Sequence, residues 1–164
     1  MTAHIDAVLS EVPGWLSQPE ESLRYEFARD WPATGNIVEI GSYQGRSTIC
    51  LAFGVAERKT GYVLSVDIHT GSRERQPGKR AYHPETFCPK TSGIDTLPLL
   101  RADLARFEVA EIVQIRVMTS VAAAAMFTNR VRLLFIDPDH HVQSVGGSIR
   151  LEVSPRKRRL CHFA

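Results

Sequence analysis

Apolar positions along the chain fall into two rhythms that alternate. Residues 4–12 carry Ile5, Val8, Leu9 and Val12 at helical spacing, and Pro13-Gly14 ends that helix. Ser17-Gln18-Pro19-Glu20 reads as a capping box, and the helix behind it sets Leu23, Phe27 and Trp31 on one face. Residues 37–40 are an apolar strand that breaks at Gly41 and Gly45. A helix follows from Ser47, its expected N-cap, with Ile49, Ala52, Phe53 and Ala56 in phase and Gly61 as C-cap. Residues 62–67 form a second strand ending in Asp67. Asp95 caps a helix with Pro98 in its first turn and Leu97, Leu100, Leu104 and Phe107 along one face. Residues 113–117 alternate apolar and polar, as a half-exposed strand does. Ser120 caps an alanine-rich helix over 121–127, and residues 133–136 are continuously apolar, a strand expected to be buried on both faces. Four strand–helix alternations predict an α/β fold: a Rossmann-like parallel sheet with helices on both faces. The strand textures predict the order 3-2-1-4.

The stretch over 37–48 organises the rest. A strand, a glycine turn and a helix N-terminus make a cradle for a nucleotide-like ligand. Gly41 allows the tight turn, and Gly45 lets a ligand approach the backbone with no Cβ in the way. Asp67 lies one crossover unit later, where a carboxylate bonds the ribose hydroxyls of a nucleoside. Its alternative role is a strand-end acid or a cap. From Ile68 to Gly93 the periodicity is lost. A loop of that length, at the carboxyl end of the sheet, reads as a lid or substrate loop. His69, His83 and Cys88 within it lack the spacing of a metal site and read as ordinary loop residues.

Composition narrows the partners. The 164 residues suffice for one domain with a real core, and a 43% hydrophobic and 23% charged content is that of an ordinary soluble protein. Net charge is +2, and Arg156-Lys157-Arg158-Arg159 alone supplies four positive charges, so the remainder stands at −2. Nucleic acid is therefore not an expected partner. Three scattered cysteines make neither a disulfide framework nor a zinc knuckle. With no signal-peptide pattern and no apolar run near ~20 residues, the expectation is a cytoplasmic protein with no membrane partner.

Residues 35–145 resemble a class I S-adenosylmethionine-dependent methyltransferase, of the small bacterial group associated with glycan and antibiotic biosynthesis. The resemblance rests on an ordered set. It comprises Glu39-Ile40-Gly41 with Gly45 and Ser47, Val66-Asp67, Ser120, and Leu134-Phe135-Ile136-Asp137. The loop segments His69-Thr70-Gly71-Ser72 and His83-Pro84-Glu85-Thr86-Phe87 add to it. The resemblance implies S-adenosylmethionine as cofactor and oxygen on a small molecule or sugar as methyl acceptor. It implies that Gly41 and Gly45 lie against the methionine part and that Glu39 holds that end. Asp67 takes the ribose, and Ser120 sits near the adenine. Asp137 faces the transfer centre, where metal-dependent relatives bind Mg2+. Asp139 and His140 occupy the places of the base. A sulfonium methyl is already electrophilic, so alignment and deprotonation of the acceptor are what such a site must supply.

Relatives continue through a fifth strand and more, whereas here Gly146-Gly147-Ser148 leads into a basic end. The expected division is a helical cover over 1–34, the cofactor-binding domain over 35–145 and an irregular basic tail over 146–164. The pattern reads as shortened or frame-shifted near residue 145. A natural remnant would end in the same way. So would a chain whose sheet is completed by a partner, as in a homo-oligomer joined at its open edge. Two other functions compete with methyl transfer. One is a non-catalytic nucleoside-binding or interaction remnant. The other, a nicotinamide-dependent dehydrogenase, requires Gly-x-Gly-x-x-Gly where this chain has Gly41-Ser42-Tyr43-Gln44-Gly45.

Overall fold

Most of the apolar stretches form the helix or strand that their period predicts. The computed structural model describes residues 2–137. Its elements run α1 (Thr2–Glu11), α2 (Gln18–Asp30), β1 (Asn36–Ile40), α3 (Arg46–Arg58), β2 (Val63–Asp67), β3 (Phe87–Cys88), β4 (Gly93–Ile94), α4 (Leu97–Arg106), β5 (Val113–Val117), α5 (Ser120–Met126) and β6 (Val131–Ile136). The main sheet has the order β5-β2-β1-β6, all parallel. Counting only these four strands, that is the expected 3-2-1-4. The tail over 146–164, Asp139 and His140 lie outside the described residues.

Alternation along the strands builds two cores. Ile37, Val63, Val113 and Leu133 face one side, with α1, α2, α3 and α4 packed over them. Val38, Ile40, Leu64, Val66 and Leu134 face the other, under Ala123 of α5. Each fully buried Val, Leu or Ile contributes roughly 1.5–3 kcal/mol. β5 is the half-exposed strand its alternation predicted, with Val117 at 52% exposure. β6 departs from expectation: Leu133 and Leu134 are buried, but Phe135 and Ile136 are only half-buried. It is the outer strand of the described sheet, so nothing described covers its far side.

The N-terminal helices pack on α3 more than on the sheet. The capping box forms, with Glu20 Oε2 accepting from Ser17 N (2.8 Å) and Ser17 Oγ (2.6 Å). It sets the phase of α2 so that Glu21, Tyr25 and Ala28 are buried, while Leu23 is 43% exposed. The expected Leu23–Phe27–Trp31 face is thus not the buried one. The reason is Gly54 of α3, where a Cβ would lie 2.4 Å from Tyr25 O and 2.6 Å from Ala28 Cβ. Backbones approach that closely only where α2 presents a small residue. Arg46 then ties α1 to α3, donating to the carbonyls of Val12 (2.7 Å), Leu16 (3.1 Å) and Leu9 (3.0 Å).

Four helix boundaries move by a residue or two. α3 begins at Arg46 with Gly45 as N-cap, so Ser47 lies inside the helix. Its C-cap is Lys59, in the left-handed region at φ 61°, and Gly61 instead passes the backbone of Gly35. Thr119 caps α5, its hydroxyl accepting from Ala122 N, which places Ser120 at the first helical position. Thr96 precedes α4, and Asp95 supports it by accepting from Leu97 N (3.1 Å).

Candidate functional site

Parallel strands all point their carboxyl ends the same way, and a cleft opens there. It is lined by Ile40, Gly41 and Tyr43 after β1, and by Val66, Asp67 and Ile68 at the end of β2. Met118, Thr119 and Ser120 after β5 close one side, Asp137 after β6 another, and Gly71, Ser72 and Arg75 of the long loop stand over it. Its free space is about 720 Å³, part of it open to solvent. Four residues singled out from sequence, Gly41, Asp67, Ser120 and Asp137, therefore meet in one place from four separate strand ends.

Asp67 is the most heavily used of them. Its Oδ2 accepts from Ser42 N and Tyr43 N, both at 2.9 Å, and its Oδ1 from His69 N at 2.8 Å. One carboxylate thus pins the glycine turn and the start of the long loop together. A carboxylate has about four acceptor positions, so one remains for a ligand hydroxyl. Gly41 takes φ 88°, which a side chain would resist, and its N–H donates to Val66 O (2.9 Å). Asp137 is exposed on the cleft wall, its N–H fixed to Ile40 O (2.8 Å).

Glu39, Gly45 and Ser47 lie elsewhere. Glu39 is fully buried and its carboxylate accepts from the hydroxyls of Ser47 and Thr48. It fastens β1 to the first turn of α3 and does not line the cleft. Burial pushes its pKa up to about 7 against the two hydroxyl donors, with Glu21 and Asp137 adding to the rise. At Gly45, φ is 95° and a Cβ would fall 2.4 Å from Leu100 Cδ1. Its lack of a side chain makes room for α4, not for a ligand.

The long loop is ordered structure with short elements of its own. Turns of 3₁₀ helix at Arg73–Arg75 and Pro84–Thr86 are followed by the β3–β4 hairpin. His69, at 2% exposure, pairs its Nδ1 with Thr96 Oγ1 (2.8 Å) and so anchors the loop to α4. Burial holds its pKa below the ordinary value. His83 precedes the Pro84–Thr86 turn, and Cys88, expected to be a loop residue, lies in β3 and pairs with Gly93. Among the described residues no three His, Cys, Asp or Glu side chains converge on a point, so a cation at Asp137 would need ligands beyond them.

Sequence reading missed an aromatic cluster at the cleft mouth. Trp15, from the α1–α2 connection, packs 5.2 Å from Tyr43 of the glycine turn. His83 of the long loop stands edge-on to both, at 6.0 and 6.3 Å. The Arg75 guanidinium lies 4.2 Å from each of the Trp15 and Tyr43 ring centres. These residues carry no shared period or spacing. The only sequence signal was a Trp directly after the Pro13-Gly14 break.

Comparison with known proteins gives the following. A family model described as a methyltransferase domain matches residues 38–152. The change of pattern expected near residue 145 falls inside that range. Cofactor-bound Rv0187 from MTB is 25% identical, with TM-score 0.57 over 91% of this chain and 57% of that one. The O-methyltransferase from Bacillus cereus in complex with SAH is 18% identical, with TM-score 0.59 over 91% and 61%. The O-methyltransferase TomG from Streptomyces achromogenes, in complex with SAM, is 17% identical, with TM-score 0.55 over 92% and 58%. This chain therefore spans between 57% and 61% of the length of these three structures.

Proposed function

Since this chain belongs to the methyltransferase domain family, its model matching residues 38–152, we propose that it transfers a methyl group from S-adenosylmethionine to a hydroxyl of a small molecule or sugar. The observation that carries the reading is the convergence of Gly41, Asp67, Ser120 and Asp137 on one cleft at the carboxyl end of the sheet. The O-methyltransferases from Bacillus cereus and Streptomyces achromogenes, solved with SAH and SAM, share this fold and support the choice of cofactor.

The residues fit such a cofactor. Gly41 opens the turn to close approach. Val66, Ile68 and Met118 give apolar walls suited to a flat purine, and Ser120 stands beside them. Asp67 has one acceptor position left, so it takes one ribose hydroxyl and not both. When bound, S-adenosylmethionine supplies the electrophilic methyl, and the chain's work is alignment and proton removal. Asp137 faces the acceptor end of the cleft. From the family resemblance, Asp139 or His140 takes the acceptor proton, and Asp137 would be the first ligand of any Mg2+ that lowers the hydroxyl's pKa. Glu39 is not read as a cofactor contact: it holds the turn from beneath. The edge of β6 that no described residue covers is read as the site of any homo-oligomeric contact.

The test is incubation of the purified chain with methyl-labelled S-adenosylmethionine and a panel of sugars and hydroxylated small molecules. Label appearing on an acceptor hydroxyl is the expected result. Cofactor binding with no transfer to any member would favour the non-catalytic reading. The dehydrogenase reading has no support from the family match.

A further inference from the structure

The mouth of the cleft holds a cation whose recognition surface is unused. Arg75 sets its guanidinium carbon over the rings of Trp15 and Tyr43, at 4.2 Å from each ring centre. A cation–ring contact uses none of the guanidinium's N–H donors, and those donors are what bind carboxylate or phosphate with two parallel bonds. Among the described residues no hydrogen bond or ion pair reaches it. Two rings hold the fork in place, so little side-chain freedom is lost when an anion docks.

Charge around it is net positive. Arg73, Lys79 and Arg80 on the same loop are exposed. Two acids, Glu74 and Glu85, stand against them, and Glu85 lies 3.1 Å from His83 Nδ1. A second cavity of about 900 Å³, partly open, is lined by Trp15, Glu74, Lys79, Arg80, Ala81 and His83, two cations against one acid. Trp15 is 59% exposed, an unusual position for so large a ring unless something lies against it. Arg75 lines the cofactor cleft and stacks on Trp15 of this second cavity, so it stands at the junction of the two.

We propose that the second cavity holds the methyl acceptor, and that Arg75, with Lys79 and Arg80 behind it, selects an acceptor carrying an oxyanion on a ring framework that stacks on Trp15. That the bound anion is a methyl acceptor rests on the methyltransferase reading; the anion site itself does not. An anion could also come from the cofactor's own methionine carboxylate, and the experiment separates the two.

Benzoate and its neutral analogue benzamide are titrated into the full chain, with and without S-adenosylhomocysteine, and followed by Trp fluorescence. Benzoate should bind about tenfold or more tightly than benzamide, as a charge-assisted paired contact requires. Arg75→Gln should abolish that preference, and Arg80→Gln, at an exposed position, should weaken it. In Arg75→Gln any change in affinity should be the same for S-adenosylhomocysteine and for 5′-methylthioadenosine, which lacks the amino-acid end, because Arg75 lines the cleft without holding that end. Equal binding of benzoate and benzamide, including no binding of either, overturns the proposal. So does an Arg75→Gln variant that loses affinity for S-adenosylhomocysteine but not for methylthioadenosine, because the fork would then hold the cofactor. If S-adenosylhomocysteine fails to bind the wild type, the methyltransferase reading falls, and the cofactor-free titrations still decide the anion site.

Discussion

Three backbone N–H groups converge on Asp67, from Ser42, Tyr43 and His69. Of the two roles expected for this residue from sequence, the structural one is seen, since it pins the turn, and the acceptor position left over is the one proposed for the ribose. Asp67→Ala should weaken S-adenosylhomocysteine binding by about 1–3 kcal/mol and lower the melting temperature as well, because three partly buried donors lose their acceptor. Calorimetric titration and a thermal melt on the same sample check both effects, and unchanged affinity would move the ribose elsewhere. Its place was legible because strand length and crossover length fix it; its partners were not, because backbone donors carry no residue code. Glu39 shows the reverse case. Its folded pKa of about 7 exceeds the ordinary carboxyl value of 4.5, so its contribution to stability is full below pH 4.5 and is lost as pH rises through 7. Glu21, also buried and raised by burial, acts in the same direction. Glu39→Gln should flatten the fall in melting temperature between pH 5 and pH 8 without erasing it. A fall as steep as in the wild type would show that Glu39 is charged in the folded protein throughout.

At the scale of elements, the glycine turn and its helix are held from outside the ligand side. Arg46 donates to three carbonyls at the end of α1 and in the segment that follows. Arg46→Ala should cost about 2–3 kcal/mol in urea unfolding, since charged donors leave carbonyls unsatisfied. Gly45 sits at φ 95° with Leu100 in the place a Cβ would take. Gly45→Ala should cost about 1–3 kcal/mol from backbone strain alone, with the contact added. Both residues belong to the stretch whose motif looks wholly ligand-directed in sequence. Motif spacing gave the turn correctly, but which glycine faces a ligand and which faces a helix depends on where α4 packs. The same limit explains α2. Its cap was readable, yet its buried face was not, because Gly54 lies on another helix and admits Ala28 rather than Leu23.

Across the whole molecule, the order 3-2-1-4 followed from strand texture, and the two cores follow from period-two alternation in those strands. The cluster of Trp15, Tyr43, Arg75 and His83 was beyond sequence reading, since it joins three segments with no common period. If the strand ends form an S-adenosylmethionine site, the folded chain must bind S-adenosylhomocysteine and the unfolded chain must not. A ligand of that kind raises stability by mass action, about 2.7 kcal/mol at a hundredfold excess over Kd. A thermal melt of the purified chain with and without S-adenosylhomocysteine, with mass by light scattering, is therefore the decisive experiment. A cooperative transition should move upward with ligand concentration in the wild type and far less in Asp67→Ala. A cooperative melt that ligand leaves in place, at any mass, would contradict the assignment of the cleft.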